Sequence, residues 1–205
     1  MSSNNRVFVS FVTLRRVVGV LGMALPVVVA LWGFYLIGGI EIQSSISGYY
    51  GLRTRDAFVG ILCVIAWFFF AYRGYERKDD IAGDLACLFA LGVAFFPNSG
   101  QPWERVVHFA SAAALFLVLS YFSLALFTKS GPTRTPQKKR RNRIYRVCGV
   151  IMMLCIISIG LYSWLLDDTA ISRLNPVFWL ESFMLWAFGI SWFVKGETLL
   201  RDPPT

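Results

Sequence analysis

Apolar and polar residues come in blocks along this chain and do not alternate. Six apolar blocks run from Val17 to Gly39, Ala57 to Tyr72, Ile81 to Phe96, Val106 to Phe127, Val147 to Leu166 and Val177 to Val194, each bounded by charged or Pro/Gly-bearing segments. About 17 to 25 helical residues cross ~30 Å of hydrocarbon, so the pattern predicts an all-α bundle of six transmembrane helices in a single domain. Strands would cross only as a closed barrel with alternating faces, and a run such as IAWFFFA (Ile65 to Ala71) does not alternate. Pro26 inside the first block predicts a kink that neighbouring helices tolerate. That block exceeds the roughly 7 to 15 apolar residues of a signal peptide, which predicts a retained helix.

Composition sharpens this picture. Of the 205 residues 56% are hydrophobic and only 16% charged, so too little charge is available to wet the surface of a soluble domain. The formal charge of +8 would suggest nucleic acid if it lay on a water-facing domain. It does not. With the N-terminus inside, sixteen of the twenty Lys and Arg residues fall in cytoplasmic segments, and only Arg53, Arg55, Arg105 and Arg173 fall outside. The positive-inside rule then puts both termini in the cytoplasm of a plasma membrane, taken as the bacterial inner membrane. Eight basic residues crowd the segment Lys129 to Arg146, read as a loop that anchors topology and meets anionic lipid headgroups, with no nucleic acid as partner. Gly131, Pro132 and Pro136 make it the candidate hinge between two three-helix halves. Cys63, Cys87, Cys148 and Cys155 all lie within apolar blocks and read as packing residues.

Polar residues inside or beside the blocks are the candidates for chemistry. Glu181 lies in the sixth helix, expected to start at Asn175 and Pro176, and a carboxyl there should turn into the bundle. Asp84 is expected in the first turn of the third helix, paired with Arg77 or Lys78. His108, the lone histidine, opens the fourth helix, either as a proton carrier or held by a loop carbonyl. The segment Glu41 to Asp56 holds three serines, Ser44, Ser45 and Ser47, with Tyr49 and Tyr50, and reads as an ordered cap turned back over the bundle. Together these predict an outward-facing polar pocket of Ser47, Asp56, His108 and Glu181 that binds or moves a small molecule, an ion or a lipid. A membrane-embedded hydrolase using the same Ser/His/Asp cluster, and an accessory protein without catalysis, stand as alternatives. One histidine makes no multi-histidine metal site, and no cofactor is expected.

Residues Leu88 to Phe96 (LFALGVAFF) align without gaps to Leu185 to Phe193 (LWAFGISWF), which places Gly92 on Gly189 and Asp84 on Glu181. With three helices per half, such an echo would make a 3+3 inverted repeat, the arrangement of many transporters. Gly83, Ala86, Ala90 and Ala94 on the third helix, and Ala110 to Ala114 on the fourth, predict close helix contacts. Trp103, Trp164 and Trp179 fit an outer aromatic belt and Trp192 an inner one.

The segments SISGYY (Ser45 to Tyr50), RDAFVG (Arg55 to Gly60), VHFASAAALF (Val107 to Phe116) and FGISWFVKGE (Phe188 to Glu197) resemble an uncharacterised bacterial family of small six-span membrane proteins over nearly the whole chain. The Ser-Gly outer loop with an acid before the second span, and the His-x-x-x-Ala of His108 to Ala112, are similar to the DRAM-like six-span family. That similarity implies lipid-related processes and no agreed catalytic centre. The chain has Arg55-Asp56 where that family tends to have Pro-Glu.

Overall fold

A computed structural model describes residues 11–37, 42–130, 135–166, 170–196 and 200. Arg6, Arg134 and Arg201, three of the sixteen basic residues assigned to cytoplasmic segments, lie outside them, as do Gly39, Glu41, Gly131, Pro132 and Glu197. The described residues form six α-helices: α1 Phe11–Ile37, α2 Arg55–Ala71, α3 Arg77–Phe95, α4 Pro102–Tyr121, α5 Pro136–Leu165 and α6 Pro176–Lys195. A five-residue π turn, Phe122–Leu126, continues α4, and short 3-10 turns at Ser47–Gly51 and Ala170–Leu174 lead toward α2 and α6.

Local chemistry sets the helix starts. Glu76 and Asp79 form a capping box for α3, in which Asp79 Oδ2 accepts the Glu76 N–H at 3.1 Å. Gln101 and Glu104 do the same for α4, followed by Pro102 in its first turn. Thr135 caps α5 by accepting the Lys138 N–H at 3.0 Å, again ahead of a proline. Asn175 precedes Pro176 in the left-handed region (φ 49°) and spends its side chain elsewhere, donating to the Ile42 carbonyl at 2.9 Å.

The helices pack in a ring in chain order, α1 lying against both α2 and α6. Small residues bring the backbones together. A Cβ on Gly19 of α1 would stand 2.7 Å from the Gly189 carbonyl of α6, and one on Gly189 would stand 2.5 Å from the Gly19 carbonyl. A Cβ on Gly92 of α3 would overlap the Ser111 side chain of α4. The stripe Gly83, Ala86, Ala90 and Ala94 is buried, as its spacing predicts.

Toward the end of the bundle where α1 starts and α6 finishes the core is aromatic. Trp192 sits with Phe69, Tyr72, Phe122 and Phe127 at ring-centroid separations of 5.3 to 5.4 Å, mostly edge-on, the geometry that aromatic quadrupoles favour. At 2% exposed, Trp192 is a core residue and not a member of the inner belt; depth along the helix suggested the belt, and rotation about the helix axis overrules it. Trp103, Trp164 and Trp179 are exposed. Behind the cluster Ser123, in the π turn, and Ser191 hydrogen-bond at 2.8 Å, both fully buried.

The outer surface is apolar where lipid would touch it, with Leu31, Trp67, Leu88, Val106, Leu154 and Leu161 all exposed. Four helices are long and apolar enough to cross a membrane: Val12–Tyr35, Pro102–Leu126, Pro136–Leu165 and Pro176–Lys195. By that measure α2, with 17 residues, falls short, as does α3, whose first half carries Arg77, Lys78, Asp79, Asp80 and Asp84.

Two expectations change. The basic segment up to Arg146 is not a loop throughout, because α5 begins at Pro136 and runs unbroken for 30 residues, about 45 Å. Pro136 therefore starts a helix and makes no hinge. Asp84 is two turns into α3, half exposed, and pairs with Arg73 at 3.3 Å instead of Arg77 or Lys78. The buried acid of this region is Asp79, 3.6 Å from the ammonium of Lys129, which also meets Glu76 at 3.1 Å.

Candidate functional site

The segment from Ile42 to Thr54 folds down over the end of the bundle where α1 finishes and α6 starts, and its own sequence explains how. Tyr49 is buried because Gly33 of α1 has no side chain; a Cβ there would stand 2.6 Å from the Tyr49 ring. Burial raises the Tyr49 hydroxyl above the ordinary tyrosine pKa, and the ring packs on Phe178 of α6 at 6.2 Å. Thr54 donates to the Tyr49 carbonyl at 2.8 Å, and Tyr50 donates to the Phe95 carbonyl at the end of α3 at 3.3 Å. Ser44 accepts the Phe178 N–H at 3.0 Å. The cap predicted from the serines and tyrosines is thus tied to α1, α3 and α6.

Beneath it lies a cavity of about 730 Å³ between α4, α5 and α6. Beside the cap its lining is polar, with Ser44, Ser45, Asn98, Asn175 and Glu181, and elsewhere it is largely apolar, with Phe109, Phe116, Ile156, Ile159 and Met184. The space exists because α4 and α6 barely meet, and because Ala112, Ala113 and Gly160 line it with almost no bulk. A Cβ on Gly160 would meet nothing within 4 Å. These alanines were expected to close a helix contact; Ser111 does close on Gly92, while Ala112 and Ala113 leave room.

Of the residues expected to form the site, two come together. Glu181, half-buried, points one and a half turns into α6, and its Oε2 accepts the Ile46 N–H at 2.6 Å. The Ser47 amide bonds to the same carboxyl. The Ser47 hydroxyl accepts from Asn98 at 3.1 Å and shares a hydrogen bond with Ser45 at 3.2 Å, and Ser45 in turn accepts the Gly48 N–H at 2.9 Å. Among the described residues no cation pairs with Glu181.

The other two stand apart. His108 is 1% exposed, does not line the cavity, and through Nδ1–H donates to the Phe96 carbonyl at 2.7 Å. This is the loop-carbonyl alternative for that residue, and it splices the start of α4 to the end of α3. Asp56 is exposed in the first turn of α2, where the helix dipole favours an acid, and does not line the cavity either. Among the described residues no hydrogen bond joins Ser45 or Ser47 to His108, so the relay a serine nucleophile needs is not assembled. Nor do three of His, Cys, Asp or Glu converge among them to hold a metal ion.

What sequence reasoning missed is the apolar part of the site. Phe109, Phe116, Ile156 and Ile159 look like any lipid-facing or packing residues, and only the divergence of α4 from α6 makes them a wall. The arrangement can hold an apolar body against α4 and α5 and offer hydrogen-bond donors, acceptors and one carboxyl beside the cap. Compared with known proteins, the chain matches no family model, no curated protein and no solved structure.

Proposed function

We propose that this chain is a six-span membrane protein with both termini in the cytoplasm, and that its outer cavity binds an amphiphilic small molecule or lipid. The observation that carries the reading is the position of Glu181 at the polar, capped end of a largely apolar cavity. The ligand's polar end sits at Glu181, Asn98 and Asn175 and its apolar part lies along Phe109, Phe116 and Ile159. Lipid-exposed Val64, Trp67 and Phe70 on α2, and Leu88 and Phe95 on α3, support counting both as spans. Arg16 near the start of α1 donates to the Gly196 carbonyl past α6 at 2.9 Å, which supports placing the chain's two ends on one side. The asymmetry of Lys and Arg supports making that side cytoplasmic, in the bacterial inner membrane.

Movement of the ligand, beyond its binding, is supported by the echo between halves. Gly92 and Gly189, aligned by that echo, each lie at a crossing with the first helix of the other half, Gly92 against α4 and Gly189 against α1. Exchanging α1 to α3 with α4 to α6 also maps the ring of neighbours onto itself. Those are the contacts an inverted repeat makes twice.

The test is mass spectrometry of molecules that co-purify with the detergent-solubilised protein. Ala113→Phe, which fills the cavity, and Glu181→Gln, which removes its charge, should each deplete a species retained by the wild type while the protein stays folded. An unchanged set of retained species in folded Ala113→Phe protein overturns the reading.

A further inference from the structure

Helix α5 presents one face to lipid along its length, and that face changes character once. Val147, Val150, Leu154, Ile157, Leu161 and Trp164 are all exposed. Turning the helix by about 100° per residue places these six within a single arc of roughly 120°. Continued toward the N-terminus, the same arc holds Lys139, Arg140, Arg143 and Arg146, all exposed. From Val147 to Trp164 the stripe rises about 25 Å, close to the hydrocarbon thickness, and from Lys139 to Arg146 about another 10 Å. Arg143 and Arg146 therefore lie at headgroup depth when the apolar stripe is in the membrane, with Lys139 and Arg140 just beyond.

The basic residues on the opposite face are spoken for by protein. Lys138 donates to the Phe127 carbonyl at 3.0 Å and lies over the Tyr145 ring, and Arg141 is buried and donates to the Leu200 carbonyl. No Asp or Glu occurs in α5, and among the described residues none of the four outward cations has an ion-pair partner. A topology signal acts through the number of Lys and Arg in a segment and needs no such sorting by face. We infer that Lys139, Arg140, Arg143 and Arg146 form a docking surface for anionic phospholipid headgroups in the leaflet that α5 enters. The occupant follows from position: a lipid whose acyl chains cover Val147 and Val150 carries its phosphate to Arg143 and Arg146. The inference rests on α5 crossing the membrane, and stands apart from the outer cavity.

The experiment equilibrates the purified full-length protein in detergent with an equimolar mixture of phosphatidylglycerol and phosphatidylcholine and measures the bound lipids. The wild type should retain phosphatidylglycerol in roughly fivefold excess or more, the preference expected if even one cation contributes as a surface lysine does. K139Q/R140Q/R143Q/R146Q should bring the ratio close to one, and R143Q/R146Q, which disturbs less, should lower it by more than half. R77Q/K78Q, equally cytoplasmic by the proposed topology but on α3, should leave it unchanged. A wild-type ratio near one, or equal ratios in wild type and folded R143Q/R146Q, overturns the inference. Displacement of the anionic lipid by single-stranded RNA at lower concentration also overturns it, in favour of a nucleic-acid surface.

Discussion

The carboxyl of Glu181 accepts the backbone N–H of Ile46 at 2.6 Å, so a side chain from the sixth helix holds the loop that follows the first. A carboxyl in an apolar helix needs partners, and the Ile46 amide of the loop needs an acceptor; each satisfies the other. The cap and the polar end of the cavity are consequently one structure.

Replacing Glu181 therefore acts on the cap. Glu181→Ala leaves the Ile46 amide without its acceptor and should cost about 1 to 3 kcal/mol, whereas Glu181→Gln keeps a carbonyl oxygen in place and should cost less. Thiol labelling of an Ile46→Cys background reads the same difference as access, with labelling faster in the Ala variant than in the Gln variant. Equal labelling in both would remove Glu181 as the tether.

Two glycines should respond oppositely to the same change. Gly160→Ala adds a methyl group to open space inside a helix and should stabilise by about 0.5 to 1 kcal/mol. Gly189→Ala drives a Cβ to 2.5 Å from the Gly19 carbonyl, and should destabilise by about 1 to 3 kcal/mol as α1 and α6 are forced apart. Thermal unfolding in detergent decides, and a neutral Gly189→Ala would mean that the α1 and α6 crossing is looser than described.

The buried Ser123 and Ser191 hydroxyls should be coupled, but modestly. A double-mutant cycle to alanine is expected to give an interaction energy of about 0.6 kcal/mol, because each serine finds other partners when the bundle opens. Strict additivity would show that the pair contributes geometry alone.

Lys129 supplies a pH dependence with a definite sign. Burial is the largest single influence and pulls its ammonium down, but the hydrogen bond to Glu76 and the charges of Asp79 and Glu76 together outweigh it and leave Lys129 above the ordinary lysine pKa. A cation held above its unfolded value contributes fully below that value and loses the contribution as pH rises through the folded one. The difference in stability between wild type and Lys129→Met should thus be flat from pH 6 to pH 9, roughly, and shrink only above about pH 10.5. A difference that fades near neutral pH would mean that the partners of Lys129 are other than Glu76 and Asp79.

Much of the architecture was legible because helices in lipid are written as long apolar blocks, and all six blocks fall on helices. Glu181 was legible for the same reason, as an acid inside such a block. Rotation about a helix axis was not. Trp192 read as a belt residue from its depth and proved central to the core. The start of α5 was missed because its basic residues were counted as a loop, although Thr135 and Pro136 spell a helix start and the charges repeat with helical period. Ala113 and Ser111 are both small residues two positions apart on α4, yet one meets Gly92 and the other an opening. What decides between them is the helix opposite, which no local reading supplies.

The bond that holds the cap joins residues 135 positions apart. During synthesis at about 5 to 20 residues per second, the Ile46 amide waits roughly 7 to 27 s for its acceptor to be made. The loop thus stays unfinished until the last helix is in place: a chain truncated before α6 keeps the contacts of the cap with α1 and α3 but lacks Glu181 and Phe178, which complete it.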